Sequence, residues 1–399
     1  MRSIHACAAA AVIVSAASCS DTRAVPTAPT LSANAVKVSD AGVTVRWNAI
    51  ARAQTHTHAM SQQAGVRTFA YLSLAQYNAT VAAQHAKGKR DHPSVGAAVA
   101  GASAVVLASV FPDQAAYFDA QVGAQMGEPD EDDQDDADFA AGEALGRAVG
   151  AAVLASAATD GFTASVAGVV IPVCPGCWLS APGGAPVFPL LGQMRPFFLR
   201  TGSQFRPNAP PAFGSPAYVT ALAEVRRFSD TRTHEQDSLA KFWAKPAGFA
   251  VIHAYANQIA TDEITKFRLG ERRAAHVLAL MNMTSMDALI ASHDAKYTYW
   301  LIRPTQADPS IVLAIPLPNH PSYPSNHACV TGASMAILAS FFPRDADYLS
   351  GLADQAGVSR IYGGIHYRFD MDAGFTLGRT VARYAIEHDV HDHEAYALK

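Results

Sequence analysis

The stretch ERRAAHVLALMNMTSMDALIASHDAKYTYW, residues 271–300, decides the fold class. Its apolar side chains recur at intervals of three and four, the spacing that gathers them on one face of an α-helix. The same spacing runs through VRWNAIARAQTHTHAM (45–60), VRTFAYLSLAQYNATVAAQ (66–84), PSVGAAVAGASAVVLASVF (93–111) and DFAAGEALGRAVGAAVLASAA (138–158). It resumes in SPAYVTALAEVRRFSD (215–230), THEQDSLAKFWAK (233–245) and GFAVIHAYANQIATDEI (248–264). No comparable run of alternating β-branched residues occurs, so the chain is predicted to be all-α, two four-helix-bundle-like halves with little or no β structure.

Residues 170–216 are dense in Pro and Gly, a composition that opposes helix. They divide the chain into a helical half over 41–170, a connection over 171–216 and a second half over 217–395. With 399 residues, half of them hydrophobic and 16% charged, there is enough apolar surface for a large core. Thirty basic residues against 34 acidic ones leave no basic stripe for a nucleic-acid backbone, which excludes that class of partner. Oligomeric state is not legible.

The N-terminus MRSIHACAAAAVIVSAASCSD has an early Arg, a short apolar run and small residues ending at Cys19, the layout of a secretory signal over 1–19. AASC also resembles a lipoprotein cleavage box, so Cys19 is a candidate lipid anchor as well as the end of a plain signal. Residues 20–40 read as a linker. The expected location is outside the cytoplasm, periplasmic or extracellular, free or anchored through Cys19. Cys174 and Cys177 in VCPGCW are too few for a structural zinc site and lie in a Pro/Gly-rich loop, so a local disulfide is expected, with Cys329 a lone thiol. The uncharged stretch 94–111 is built of small residues and reads as a helix buried in a bundle, and no membrane span is expected in the mature chain. The acidic run EPDEDDQDDADF (128–139) lacks the glycine and terminal glutamate of a calcium loop and reads as solvated. The pairs in THTH (His56, His58) and the tail EHDVHDHE (His388, His391, His393) likewise read as solvated rather than metal-binding.

Three stretches in the second half carry polar groups where buried helices should be bland: KYTYWLIRP (296–304), YPSNHACVTGASMAILASFF (323–342) and SRIYGGIHYRFDMDAG (359–374). Seven residues make about two helical turns, so Lys296 and Arg303 are expected to point from one helical face. Pro324, Ser325 and Asn326 occupy the first turn of an apolar helix, whose free N–H groups favour an anion, and His327 lies just inside it. His366 and Asp370, four apart, can share a helical face, the carboxylate holding one imidazole nitrogen. Arg360 can turn back through Gly363 and Gly364 to the same anion. Cations, a hydroxyl, backbone donors and two imidazoles form a set suited to a tetrahedral or trigonal-bipyramidal oxyanion.

These stretches resemble the signature of the superfamily that unites type-2 phosphatidic-acid phosphatases, bacterial non-specific acid phosphatases and vanadium-dependent haloperoxidases. Its pattern is Lys, six residues, Arg-Pro; then Pro-Ser-Gly-His; then Ser-Arg, five residues, His, three residues, Asp. The first and third are complete, whereas PSNH carries Asn326 where the family usually has Gly. The resemblance implies that Lys296, Arg303, Ser325, the Asn326 N–H and Arg360 hold the oxyanion. His366 would be the axial vanadium ligand or the phosphatase nucleophile, Asp370 would orient it, and His327 would be the acid–base group. The large helical half before the signature resembles the double-bundle haloperoxidases, and His320 matches a position where bromoperoxidases of the family carry His. His293 stands where better-known members have an aromatic, so His293 and His320 are candidates for the halide pocket or for support around it. The expected activity is vanadate-dependent oxidation of bromide or iodide by hydrogen peroxide. The alternatives are an exported acid phosphatase that hydrolyses phosphate esters without a cofactor, and a non-catalytic oxyanion-binding helical protein.

Overall fold

The computed structural model describes residues 42–86, 92–124, 133–391 and 394–399. The expected signal, Cys19, the linker, His393 and the first part of the acidic run lie outside the described residues. Thirteen α-helices follow one another: α1 (Val43–Thr57), α2 (Gln62–Ala86), α3 (Val95–Val110), α4 (Ala115–Gly123), α5 (Asp133–Ala157), α6 (Pro216–Thr231), α7 (His234–Ala244), α8 (Ile252–Lys266), α9 (Glu271–Tyr299), α10 (Pro304–Ala307), α11 (Asn326–Phe341), α12 (Ala346–Tyr362) and α13 (Arg368–Glu387). The described residues contain no strand, and their β pairing is limited to an isolated bridge between Cys177 and Leu301. The fold is all-α.

α2, α3 and α5 pack together, and α9, α11, α12 and α13 form a second group. α9 joins the two, because it packs against α2 as well as against α11 and α13. Its residues 274–293 are buried on every face, as a helix lying between two bundles must be. Among the described residues it is the one helix long and apolar enough to cross a membrane, and its apolar window is wholly enclosed by protein. The small-residue stretch flagged in the sequence forms α3, which is shorter and buried between α2 and α5.

Several buried polar residues of α9 have partners, as burial favours, while Thr284 Oγ1 has none among the described residues. Asn282 donates to Ser73 Oγ at 2.9 Å, and Ser285 Oγ lies 2.8 Å from Ser334 Oγ. Asp287 accepts the backbone N–H groups of Phe197, Phe198 and Leu199 at 2.7, 2.7 and 3.0 Å, which fastens the irregular connection to the helix. That connection is also closed locally by a disulfide between Cys174 and Cys177. Around it, Trp178 N–H donates to Trp300 O at 2.6 Å and Ile302 N–H to Gly176 O at 2.9 Å. The chain leaving α9 is therefore held by the cysteine loop just before Arg303.

Candidate active site

α9 ends at Tyr299, where Trp300 adopts a left-handed conformation and turns the chain out of the helix. Arg303 sits in extended backbone before α10, so the expectation of one helical face for Lys296 and Arg303 is corrected: they converge through a turn. Lys296 Nζ donates to the carbonyls of Pro321 and Ser322 at 3.0 and 2.8 Å and to that of Pro324. Its three donors are engaged by the 321–324 segment, and its charge is buried there. Ser325, expected among the ligand-binding groups, caps α11 by accepting Ala328 N–H at 3.4 Å, which leaves its hydroxyl proton to donate. Neither residue lines the adjoining cavity.

His366 precedes α13, and Asp370 lies in its first turn, so a turn rather than a shared helical face brings them together. Asp370 Oδ2 is 2.8 Å from His366 Nδ1 and also accepts Tyr367 N–H at 3.1 Å and the Ser322 hydroxyl. Arg303 Nη1, which can only donate, lies 3.1 Å from His366 Nε2. The imidazole is therefore fixed with its proton on Nδ1 and its lone pair on Nε2. Burial, then Arg303 and Lys296, hold the His366 pKa well below the usual imidazole range. Burial pushes Asp370 up to about 6, against the Ser322 hydrogen bond and the two cations.

Arg303 also donates through Nε and Nη1 to the carbonyls of His320 and Ile365 at 3.0 and 2.7 Å, and through Nη2 to His320 Nδ1 at 2.9 Å. Arg360, at the C-terminal end of α12, donates from Nε to Ser359 Oγ and from Nη2 to Ala240 O, and it lines the cavity. Burial lowers the two guanidinium groups to about 10 and about 9 respectively. Lys296, Arg303 and Arg360 thus lie within one buried site, their donors directed to carbonyl, imidazole and hydroxyl groups instead of carboxylates. Asp370 is the carboxylate whose charge Lys296 and Arg303 feel. Concentrated buried positive charge of this kind costs several kcal/mol per ion unless an anion offsets it.

The helix start is close to the His366 turn because Ser325 N–H donates to Asp370 O at 2.9 Å. Gly374 and Gly378 on α13 make this approach possible. A Cβ at Gly374 would stand 2.7 Å from Ser325 O, and one at Gly378 would strike Cys329 O. The Asn326 side chain lines the cavity, where Ser292 Oγ donates to its Oδ1 at 2.6 Å and its Nδ2 lies 3.2 Å from His293 Nε2. His293 Nδ1 is satisfied by Phe188 O at 3.1 Å, and burial lowers its pKa to about 3. His293 thus orients Asn326, while His320 braces Arg303 and reaches the cavity wall. His327 lines the cavity too, with Nε2 donating to Trp243 O at 2.9 Å, and burial with the charge of Arg360 keeps its pKa well down.

Residues 275–389 match the model of the PAP2 superfamily. Over that stretch the chain is similar to this superfamily. A non-specific acid phosphatase of Providencia stuartii is 27% identical over 169 residues, 41% of this chain and, at 66%, just under two thirds of that protein. A bacterial vanadium-dependent iodoperoxidase superposes with a TM-score of 0.75 at 22% identity, covering 86% of this chain and 95% of its own. A holo-type bacterial vanadium-dependent chloroperoxidase gives 0.66 at 15% identity, over 82% and 92%. These two likenesses extend the shared fold to both bundles.

Within this site, sequence reading missed Ser322 and the carbonyls of Trp243, Pro321 and Pro324. Ser322 lies one residue before the quoted stretch 323–342, and nothing in its spacing from Asp370 signals the contact. Backbone acceptors leave no residue-type signal. No cluster of three or more His, Cys, Asp or Glu side chains suited to a metal ion occurs among the described residues.

Proposed function

We propose that the cradle around His366 holds vanadate and that the protein is a haloperoxidase using hydrogen peroxide to oxidise bromide or iodide. The observation that carries the oxyanion reading is the fixed lone pair on His366 Nε2 within a buried site of three cations. A tetrahedral oxyanion fits this donor set: His366 would be its nitrogen ligand, and Arg303, Arg360 and the N–H groups opening α11 would receive its oxygens. Bound there, vanadate would supply Lewis-acid activation of peroxide toward halide, with vanadium fully oxidised throughout. Asp370 would hold the imidazole tautomer, and His293 with Ser292 would hold the Asn326 amide at the cavity wall.

Halide oxidation is favoured over ester hydrolysis by the state of His327. Its Nε2–H is engaged by Trp243 O, and its remaining nitrogen is kept unprotonated by burial and Arg360. A phosphatase needs a general acid for the leaving oxygen, and His327 is a poor one in this arrangement. The whole-chain likeness to haloperoxidase structures supports the same choice. The acid phosphatase relative supports the second reading, in which Nε2 attacks phosphorus, the alcohol leaves, and water then releases phosphate from phosphohistidine. Export is proposed with either activity, supported by the Cys174–Cys177 disulfide.

The test incubates the protein with orthovanadate, removes the excess, and assays peroxide-dependent bromination and iodination of a dye beside aryl phosphate hydrolysis by untreated protein. Halogenation that requires vanadate and disappears in H366A supports the proposal. Hydrolysis without halogenation would replace it with the phosphatase reading, and neither activity would leave an oxyanion-binding protein.

A further inference from the structure

Residues 161–194 contain no Asp, Glu, Lys, Arg or His, and neither do residues 207–223. A protein surface is normally studded with charge, so two uncharged runs that reach the surface call for a reason. The exposed apolar side chains gather in them. Val173 is 100% exposed, Val170 81%, Leu179 57% and Phe213 49%, with Val166 and Val219 exposed as well. These are six of the eleven large hydrophobic side chains exposed among the described residues.

The two runs meet in space. The Cys174–Cys177 disulfide closes the turn between Val173 and Leu179. A Cβ on Gly176 of that turn would stand 2.6 Å from Phe213, so the second run lies directly on the first. Phe213 rests in turn against Tyr218, with 5.1 Å between ring centroids, one residue before Val219 on α6. The base of the cysteine loop is held to the chain leaving α9 by the Trp178–Trp300 and Ile302–Gly176 hydrogen bonds, so the apolar tips project from a fixed support. Contiguous exposed apolar surface of this kind marks a contact face.

Three observations choose a lipid surface as its occupant. Val170 and Val173 stand almost wholly clear of the protein, a shape that meets a flat protein partner over little area but enters a headgroup layer readily. Neither run has a cation to attract anionic lipid or an anion to be repelled by it, so the face suits zwitterionic lipid. Cys19, the candidate lipid anchor, precedes Gly42 by a length of chain that spans at most about 80 Å, so an anchored molecule stays within reach of its membrane.

We propose that the 170–173 loop, Leu179 and Phe213 form a membrane-contact face that seats in the headgroup layer of zwitterionic lipid. The irregular backbone of these loops limits insertion to that depth, where water still satisfies its N–H and C=O groups. The face is independent of what the cradle binds. Val187, in the same uncharged run as Leu179, lines the cavity beside the cradle, so one short stretch of chain joins the seated loops to the site.

The test uses the chain from Ser20 onward, which carries no acyl group, sedimented with vesicles of phosphatidylcholine and phosphatidylethanolamine. The parent is expected to sediment with the vesicles equally at about 0.1 M and about 0.5 M NaCl, since no charge is engaged. The double variant V170D/V173D should partition at least about tenfold more weakly while keeping the parent's thermal midpoint and its orthovanadate binding. Failure of the parent to sediment with vesicles, or equal partitioning of the double variant, would overturn the inference. Release by salt would also overturn it, because attachment would then be electrostatic. A parent dimer in sedimentation equilibrium that V170D/V173D abolishes, without vesicle binding, would assign the face to a second copy of the chain instead.

Discussion

His366 keeps its lone pair on Nε2, where Arg303 Nη1 faces it, because Asp370, Ser322 and the Tyr367 N–H form one connected set beneath the ring. Replacing Asp370 by Asn removes the charge that steadies Nδ1–H, and the amide NH2 falls either at the buried, unpartnered Oδ1 position or against Nδ1–H itself. The imidazole proton is then free to move to Nε2, where it would oppose ligation. D370N is expected to weaken oxyanion binding about 10- to 100-fold, the usual cost of losing a ligand's orienting partner, as read by calorimetric titration with orthovanadate. Unchanged affinity would mean that the tautomer is held some other way. The pairing of His366 with Asp370 was legible in the sequence, because a four-residue separation brings two side chains together in a turn as well as in a helix. The task of Lys296 was not. A lysine in a motif announces a charge, whereas its direction is set by three carbonyls about 25 residues further along the chain.

At the scale of elements, the site depends on how closely α11 and α13 approach. The backbone contact between Gly378 and Cys329 O, with Gly374 beside Ser325 O, places the α11 N-terminus against the Asp370 turn. G378A should force the helices apart and destabilise the protein by about 1–3 kcal/mol, the range for overpacking a tight contact. Urea unfolding measures the loss directly, and a midpoint equal to that of the parent would show that the contact relaxes freely. The helices themselves were readable from apolar spacing, since burial imposes the same period wherever a helix packs. The end of α9 was harder to place, because the residues after Tyr299 continue the apolar pattern while Trp300 turns left-handed. That turn is held by the Cys174–Cys177 loop, more than 120 residues earlier in the chain, a contact no local pattern carries.

Over the whole molecule, the buried titratable groups set the response to acid. His253, His293, His320, His327 and His366 all have lowered pKa values, chiefly through burial. Each takes up a proton more readily in the unfolded chain, so its contribution is fully present above the ordinary histidine pKa of about 6.5 and declines as pH falls below it. Asp287 and Asp370, raised to about 6, and Glu263, raised to about 7, work in the opposite sense between those values and the ordinary carboxylate range. Asp262 and Asp372 are raised by burial as well, but less far, so the five strongly lowered imidazoles leave the unfolded chain binding more protons near pH 5, and each net proton changes stability by about 1.4 kcal/mol per pH unit. The urea midpoint should therefore fall between pH 7 and pH 5, and a rise over that interval would contradict the assignment of neutral buried imidazoles. Sequence counted these histidines but could not show their burial, which arises where the first bundle covers the second.

The most direct test of the cradle is a calorimetric titration of orthovanadate into the parent protein and into H366A at neutral pH. The structure predicts one oxyanion per chain in the parent and binding at least about 100-fold weaker in H366A, because the nitrogen ligand is gone while the three cations remain. Equal affinity in the two proteins, or no binding to the parent, would contradict a site organised around His366 Nε2.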